Sequence, residues 1–547
     1  MGMTQGLKRA VLVNAKGLAT IDDHRRRSWA DLSQRVAQLA GALKALGLQA
    51  GDRVAMLAFN SDRYLEYFYA VPWAGGVIMP LNVRLAAPEL VAMLNDAQPK
   101  ILMVDEAFQS LLPTLSQAAS LKHVILAGDP PHPPRTQGGE SSHPPRIREG
   151  DPSLPPPYTG GIGGVLNYEG ILAAAKPAPD AERTGDDIAG IFYTGGTTGA
   201  PKGVMLTHRN VVSNAMSMLL SIHKGQPWVF LHTAPMFHIA DSQWVVGATI
   251  QSGTHVFIPR FNPEETLKAI QTHRVTHCAM VPTMVNRLVN FSGVENYDSS
   301  SLKAINYGGS PMPPAVAARA QAVFPGCEFF AGYGQTETSP AITLLDSKYH
   351  VLEGPLAGKI ASVGQPVFNM EVKIVDDNDH ELPRGTVGEI ITRGLHVMAG
   401  YWNKPEETAQ ALRGGWLHTG DVGYMDEDGF IFIVDRLKDM IISGGENIYP
   451  VEVENALHQH PAVAMCAVIG IPSETWGEAV HAIVVLREGQ SAAEAELIQH
   501  CRAHIAGYKC PRSVDIGREP LPMSGAGKIL KRELRAPFWQ GQARRIN

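Results

Sequence analysis

Ile191-Phe192-Tyr193-Thr194-Gly195-Gly196-Thr197-Thr198-Gly199-Ala200-Pro201-Lys202-Gly203-Val204 joins an apolar, strand-like run to a loop of glycines and threonines that ends on a lysine. Glycines admit positive φ and let bare N–H groups approach an anion, hydroxyls add donors, and Lys202 adds a mobile point charge. The composition suits a polyphosphate chain. Lys202 follows Pro201 and precedes Gly203, so the loop lacks the Gly-Lys-Ser/Thr closure of a P-loop. A Gly/Thr-rich surface hairpin is the alternative that this stretch alone leaves open.

The surroundings read as α/β. Over residues 28–47 the apolar positions Leu32, Val36, Leu39, Ala40 and Leu43 recur at helical spacing, and Gly51-Asp52-Arg53 then turns into the strand-like Val54-Ala55-Met56-Leu57. A second helix-to-strand unit spans residues 64–77, and residues 188–192 form the strand that delivers the glycine loop. Such alternation argues for a mainly parallel sheet with helices packed on it and binding loops at strand ends.

Between residues 128 and 158 the chain is crowded with proline, as in Pro130-Pro131-His132-Pro133-Pro134 and Pro155-Pro156-Pro157. That composition cannot pack a core, so a long surface loop is expected over about residues 129–158. A softer connector covers residues 176–187. Near the C-terminus, Ile431-Phe432-Ile433-Val434 reads as a strand, followed by the charged Asp435-Arg436-Leu437-Lys438-Asp439. Helices over 450–460 and 492–505, with strands over 464–468 and 479–485, then suffice for a small α+β domain.

The 547 residues predict several domains or subdomains. A net charge of -6, 44% hydrophobic and 18% charged residues describe an ordinary globular protein without the basic footprint of a nucleic-acid binder. The five cysteines are scattered and form no Cys-x-x-Cys pair, which suits free thiols in a reducing compartment. Asn14 and Lys16 cut short the apolar Ala10-Val11-Leu12-Val13, and no long uncharged apolar run follows, so neither export nor a membrane span is expected. Gly6 stands where a myristoylation signal needs Ser or Thr. The chain reads as cytoplasmic. His500, Cys501, His504 and Cys510 lack the tight spacing of zinc ligands and read as an incidental helix face.

Further segments of unusual composition follow in a fixed order. They are Pro235-Met236-Phe237-His238; Tyr307-Gly308-Gly309-Ser310-Pro311; Gly332-Tyr333-Gly334-Gln335-Thr336-Glu337-Thr338; Gly388-Glu389-Ile390 with Arg393-Gly394; Gly415-Trp416-Leu417-His418-Thr419-Gly420-Asp421; and Ser524-Gly525-Ala526-Gly527-Lys528. With the glycine loop and Asp435-Arg436, the series resembles the adenylate-forming enzymes, among them acyl-CoA synthetases, 4-coumarate-CoA ligases, luciferases and peptide-synthetase adenylation domains. The resemblance runs from about residue 25 to about residue 535.

It implies an α/β fold. A large N-terminal domain (1–434) of layered α/β subdomains carries a β-barrel-like subdomain, and a hinge (435–438) leads to a small mobile α+β domain (439–547). It implies a two-step reaction, in which a carboxylate attacks the α-phosphate of ATP to give acyl-AMP and pyrophosphate, and coenzyme A then displaces AMP. Two anions must meet in the first step, so cationic and metal screening should dominate it. By resemblance, Thr194, Gly195, Gly196, Thr197, Thr198, Gly199 and Lys202 hold the phosphates, Glu337 holds Mg²⁺ and Thr336 contacts the α-phosphate. Tyr333 stacks on adenine in a pocket lined by Gly308, Gly309, Ser310, Gly332 and Gly334. Asp421 accepts the ribose hydroxyls, Arg436 meets ribose and phosphate, and Lys528 reaches the acyl carboxylate and α-phosphate together.

Lys438 falls at the hinge position, and Gly444 and Gly445 would leave width for the pantetheine arm. His238 would lie beside the acyl carboxylate and gate the tunnel, with Ile239, Ala240, Trp244, Gly332, Pro340 and Ala341 around the acyl group. These mostly apolar or small residues argue for a medium-to-long aliphatic or an aryl acid. Ser310 stands where many relatives carry alanine, and Asn447 where many coumarate-type ligases carry glutamine, so their specificity does not transfer. Rival readings are a ligase that loads a separate carrier protein and a non-catalytic nucleotide or acyl-adenylate binder on the same scaffold. Partners are the small molecules, and a homodimer is left open.

Overall fold

The computed structural model describes residues 1–128, 164–194, 201–222, 225, 227–310, 312–436, 439–443, 446–473, 475–523 and 529–540. The proline-rich loop expected over 129–158 lies outside the described residues. The chain divides into two compact units, one of residues 1–194, 201–212 and 227–260, the other of residues 195–200, 213–226 and 261–547.

The first unit contains helices α1 (Thr4–Asn14), α2 (Trp29–Ala45), α3 (Asp62–Trp73), α4 (Ala87–Ala97), α5 (Leu112–Leu115) and α6 (Tyr168–Ala174), the start of α7 (His208–Ile222), and α8 (Ile239–Ile250). Its strands are β1 (Leu18–Asp22), β2 (Arg25–Ser28), β3 (Arg53–Leu57), β4 (Val77–Pro80), β5 (Ile101–Val104), β6 (His123–Leu126), β7 (Val165–Asn167), β8 (Ile188–Thr194), β9 (Lys202–Thr207), β10 (Val229–His232) and β11 (Thr254–Phe257). They form one sheet portion in the order β9-β8-β4-β3-β5-β6-β7 and another in the order β10-β11-β1-β2. β4, β3, β5, β6 and β7 pair in parallel, and β8 meets β9 antiparallel. β4 and β5 are buried along their whole length, as a parallel sheet covered on both faces requires.

The predicted helix over 28–47 is α2, started by a capping box in which Ser28 and Asp31 satisfy each other's backbone N–H. Leu32, Val36, Leu39 and Leu43 are fully buried along one stripe. Each contributes roughly 1.5–3 kcal/mol over the same side chain left exposed.

In the second unit β12 (His277–Met280), β13 (Ala304–Gly308) and β14 (Glu328–Gly334) run parallel, and β15 (Ala341–Leu345) and β16 (Gln365–Pro366) extend them antiparallel. Helix α9 (Pro263–His273) precedes β12, and α10 (Pro282–Val289) and α11 (Pro314–Val323) connect β12 to β13 and β13 to β14. In place of the expected barrel-like subdomain the chain forms an open four-stranded antiparallel sheet of β17 (Met370–Val375), β18 (Gly388–Gly394), β20 (Leu417–Met425) and β21 (Ile431–Arg436), with β17 and β21 as its edges, and with β19 (Gly400–Tyr401) and α12 (Pro405–Ala411) between β18 and β20 in the chain.

The C-terminal part has β22 (Ile441–Ser443), β23 (Glu446–Ile448), β24 (Val463–Ser473), β25 (Gly477–Leu486) and β26 (Ser513–Gly517) in a five-stranded sheet, with α13 (Pro450–His458), α14 (Glu494–His504) and α15 (Lys531–Arg535). The strand expected over 464–468 is longer because it forms a hairpin with β25. On α14, His500 and His504 bond the main-chain carbonyls of Ala456 and His500 at 3.0 and 2.8 Å. No helix of the described residues is long and apolar enough to cross a membrane.

The first unit also buries an ionic cluster. Glu66 on α3 is fully buried and accepts from Arg35 Nε at 2.5 Å and from the Tyr168 hydroxyl at 2.6 Å, with Arg27 Nε at 3.2 Å. Arg35 spends its other guanidinium nitrogens on Glu66 and Glu169, a fork geometry that lysine cannot supply. Removing Glu66 takes the fully buried partner from Arg35, Arg27 and the Tyr168 hydroxyl, leaving Arg35 with Glu169 and Arg27 with Asp62. We therefore expect Glu66→Ala to cost about 3–5 kcal/mol of stability. A urea unfolding midpoint checks this, and Glu66→Gln, which keeps acceptor oxygen, should recover part of the loss.

Candidate active site

Thr194 and Lys202 are register partners at the end of the β8–β9 hairpin, and the Thr194 hydroxyl lies 3.5 Å from the Lys202 carbonyl. Gly195, Gly196, Thr197, Thr198 and Gly199 lie outside the described residues. The strand pair therefore brings both ends of the glycine loop together and leaves Lys202 half-buried at its exit. Beneath it the Tyr193 hydroxyl donates to Asp96 at 2.5 Å.

His238 ends the segment between β10 and α8 and sits at the N-cap of α8, its carbonyl accepting from the N–H groups of Asp241 and Ser242. Its ring lies 4.5 Å from that of Phe237. Asn60 holds the preceding segment: its amide donates to the carbonyls of His232 and Ala234, and its oxygen accepts from Met236 N–H at 2.8 Å. Sequence reasoning missed Asn60, because nothing in a lone Asn before a helix reveals a partner some 175 residues on. Ile239 is buried and Ala240 exposed. Trp244 is 2% exposed and stacks on Phe230 at 5.6 Å beside Trp228, so its indole is packed into the helix–sheet interface.

In the second unit β13 and β14 end together, with Gly308 opposite Gly332. A Cβ on Gly308 would fall on the Gly332 carbonyl oxygen, and one on Gly334 would fall on that of Pro340. Only glycine allows these backbones to approach so closely. Gly309 takes φ +84° and, with Ser310, is exposed just beyond the strand end.

Asp421 opens the chemistry of this unit. It is 4% exposed, and its Oδ2 accepts from the Tyr333 hydroxyl at 2.8 Å and from the Gln335 amide at 3.1 Å. Gln335 also donates to the Thr419 carbonyl at 2.7 Å. The His418-Thr419-Gly420-Asp421 turn is anchored to β18 by its own polar groups. Glu389 bonds His418 Nδ1 and Gly420 N–H, and the Thr419 hydroxyl donates to the Ile390 carbonyl at 2.6 Å. The Gly-Glu-Ile and His-Thr-Gly-Asp motifs are thus one hydrogen-bonded unit. Arg436 is the register partner of Asp421 on β21.

Thr336 and Glu337 lie on a short 3₁₀ turn after β14. The Tyr401 hydroxyl donates to Glu337 Oε1 at 2.9 Å, and Met398 N–H donates to the Glu337 carbonyl at 2.8 Å. Burial, then the Glu337 charge, pushes the Tyr401 phenol well above its usual range, so it remains a donor. A single half-buried, oriented carboxylate with a threonine beside it fits Mg²⁺, which takes one or two carboxylates and keeps its other positions for water and phosphate. Among the described residues no group of three or more His, Cys, Asp or Glu is placed to hold a metal. Pro340 and Ala341 follow the turn. Ala341 N–H donates to Asn214, and its carbonyl lies 2.9 Å from the buried His396, whose imidazole burial holds below the usual range. Tyr401, Gln335, Asn214 and His396 are supporting residues that motif reading did not single out.

Lys438, Gly444, Gly445 and Lys528 lie outside the described residues, as does the Arg436 side chain. The residues flanking Lys528 pair with each other: Met523 bridges Ile529, and Leu530 N–H donates to the Pro522 carbonyl.

Residues 7–402 match the family described as AMP-binding enzyme, and residues 452–528 match the AMP-binding enzyme C-terminal domain. The chain is similar to a feruloyl-CoA synthase from an Amycolatopsis species, 38% identical over 512 residues, 93% of this chain and 94% of the relative. It is similar to a fatty acid–[acyl-carrier-protein] ligase of Streptomyces coeruleorubidus, 34% identical over 539 residues, 97% of this chain and 95% of the relative. Among solved structures, ATP-bound MatB from Rhodopseudomonas palustris superposes with a TM-score of 0.83 at 29% identity, covering 98% of this chain and 99% of that one.

The close approach at Gly308 yields a direct test. Gly308→Ala should push β13 from β14, lowering stability by about 1–3 kcal/mol as an overpacked site does. Calorimetric titration with AMP should show weaker binding by the folded variant, while a chemically similar change at the exposed Gly507, where nothing lies within 4 Å of an added Cβ, should leave binding intact.

Proposed function

This chain belongs to the AMP-binding enzyme family, and we propose that it is an AMP-forming acid–thiol ligase: it activates a carboxylic acid with ATP to acyl-AMP and pyrophosphate, then transfers the acyl group to coenzyme A. The arrangement of Asp421 with Tyr333 and Gln335 is the observation that carries the reading. A buried carboxylate oriented by the Tyr333 hydroxyl and the Gln335 amide supports a ribose site, since a carboxylate can accept hydroxyls on both of its oxygens.

In this reading Gly308, Gly309, Ser310, Gly332, Tyr333 and Gly334 take the adenine, and Asp421 and Arg436 take the ribose. Thr194 through Gly199, with Lys202 and Thr336, bind the phosphates. Mg²⁺ on Glu337 would neutralise phosphate charge. Tyr401 orients that carboxylate by donating to Oε1. Lys528 brings a cation to the acyl carboxylate and the α-phosphate together, which lowers the repulsion between nucleophile and electrophile.

His238 lies beside the acyl carboxylate. Ile239, Ala240, Gly332, Pro340 and Ala341 line the acyl tunnel, Trp244 backs it, and Gly444 and Gly445 admit the pantetheine arm. Residues 1–434 bind nucleotide and acid, 435–438 with Lys438 act as hinge, and 439–547 rotate between the half-reactions. The two family matches flank this hinge and support the division.

The apolar tunnel residues favour an aryl or a medium-to-long aliphatic acid, and the relatives named for feruloyl-CoA and for a fatty acid support both classes. The second relative also favours an alternative acceptor, a separate carrier protein. Pyrophosphate release with ATP, Mg²⁺ and a panel of aryl and aliphatic acids, with and without coenzyme A and with mass identification of products, tests the reading. Acyl-CoA from one acid class is the expected result. Acyl-AMP without thioester points to the carrier protein, and absence of pyrophosphate with every acid overturns the activity. Lys528→Ala should slow adenylation by about 10²–10³-fold, the range for removing one preorganised charge-stabilising group, with ATP binding kept. Unchanged turnover would refute its role.

A further inference from the structure

α8 rests on β10 and β11 through a face that is mostly aromatic. Trp244 meets Trp228 and Phe230, and His232 stacks on Phe257 at 5.1 Å with 7° between the rings. Into this apolar face is set a continuous polar chain. Asp241 Oδ2 lies 2.6 Å from His232 Nδ1, His232 Nε2 lies 3.0 Å from His255 Nδ1, and His255 Nε2 lies 3.0 Å from the Thr249 hydroxyl. All four side chains are fully buried.

The chain begins and ends on the same helix. Asp241 is in the first turn of α8 and Thr249 in its last, a separation of about 12 Å along the axis at 1.5 Å per residue. The two imidazoles, on neighbouring parallel strands, span that distance. They fix both the height and the rotation of α8 on the sheet, which an apolar contact of the same area would leave adjustable. Among the described residues Asp241 Oδ1 has no hydrogen-bond partner, and the remaining bonds of the chain favour one arrangement, because each displaced member strands a further buried donor or acceptor.

From other elements, Trp29 faces His255 and the Tyr69 hydroxyl donates to the Val245 carbonyl on α8, while Phe230 and Phe257 pack on His232 from β10 and β11 themselves. Burial holds the Asp241 carboxyl above its usual range and the His255 imidazole well below its own.

The same chain closes a loop in the backbone. His232 ends β10, Asp241 lies one helical turn past His238, and their side chains join the two ends of segment 232–241. Asp241 N–H donates to the His238 carbonyl at 3.1 Å, and Asn60 holds the middle of the segment through three hydrogen bonds. Position 238 is therefore held from both sides of the loop and from its centre.

We propose that the buried chain Asp241–His232–His255–Thr249 is a positioning device that fixes His238 at the start of α8 and thereby sets how the enzyme receives its carboxylic acid. The proposal rests on the reading of His238 as the residue beside the acyl carboxylate. Asp241 touches no reacting atom and acts through His238.

The test uses the full chain and pyrophosphate release, with kcat and KM measured separately for the acid and for ATP in Asp241→Ala, Asp241→Asn, His238→Ala and the Asp241/His238 double-alanine variant. Asp241→Ala should lower kcat/KM for the acid about tenfold or more while the KM for ATP stays within about twofold, since misplacement of a positioning group costs in the step it serves. Asp241→Asn keeps an acceptor oxygen toward His232 and should recover most of the loss. The double variant should be no worse than His238→Ala alone, because residues acting as one unit are not additive.

Additive losses, or equal losses toward acid and ATP, overturn the positioning role and leave the reading of His238 standing. A His238→Ala variant with unchanged acid parameters overturns that reading and the proposal with it. Thr249→Val, which removes the far end of the chain at nearly constant volume, carries the same comparison should Asp241→Ala fail to fold. It should show the same bias toward the acid at smaller amplitude.

Discussion

A carboxylate with 4% exposure is the constraint around which the second unit is organised. Asp421 cannot be desolvated without donors, and it finds them in Tyr333 and Gln335, on and just after β14. Those bonds tie the end of β14 to the start of β20. Gln335 reinforces the tie through the Thr419 carbonyl, and Glu389 anchors the same turn from β18. Two glycines then follow as a necessity. Gly308 must pass against the Gly332 carbonyl for β14 to deliver Tyr333 to Asp421, and Gly334 must clear the Pro340 carbonyl for the next turn to present Glu337.

The first unit solves its polar problems by a different route. Its interior carries ionisable groups, among them the Arg35–Glu66–Glu169 cluster and the Asp241–His232–His255 chain, and in each the members are hydrogen-bonded to one another. Buried charge adds little net stability compared with apolar packing, yet it defines one geometry sharply. The helix α8 illustrates the difference. Its apolar face with Trp228, Phe230 and Trp244 supplies the area, and its polar chain supplies the register.

Much of this was legible in the amino-acid order. Helix α2 showed as Leu32, Val36, Leu39 and Leu43 at helical spacing, and α14 and β25 lie within a residue or two of where periodicity put them. Their patterns are local, so propensity and burial agree. β24 came out longer than expected because its partner β25, and not its own composition, determines where pairing stops. The glycine loop left a hairpin open as one reading, and the pairing of Thr194 with Lys202 shows a strand hairpin carrying that loop. The supporting residues were not legible. Asn60, Tyr401 and His396 are ordinary residue types in ordinary contexts, Gln335 sits inside a quoted motif without a role of its own there, and their meaning lies in partners 55 to 176 positions away.

The sequence by itself determined the α/β class, the order of the candidate nucleotide-binding segments and the chemical types available to them, because glycine freedom, hydroxyl donors and carboxylate acceptors are properties of single residues and short runs. Only the tertiary structure decided which groups share a hydrogen bond: that Tyr333 turns its hydroxyl to Asp421, that Tyr401 holds Glu337, and that two histidines and an aspartate lock α8 onto its sheet. Those pairings depend on distances across the fold, and a buried polar group takes whichever partner the packing brings within reach.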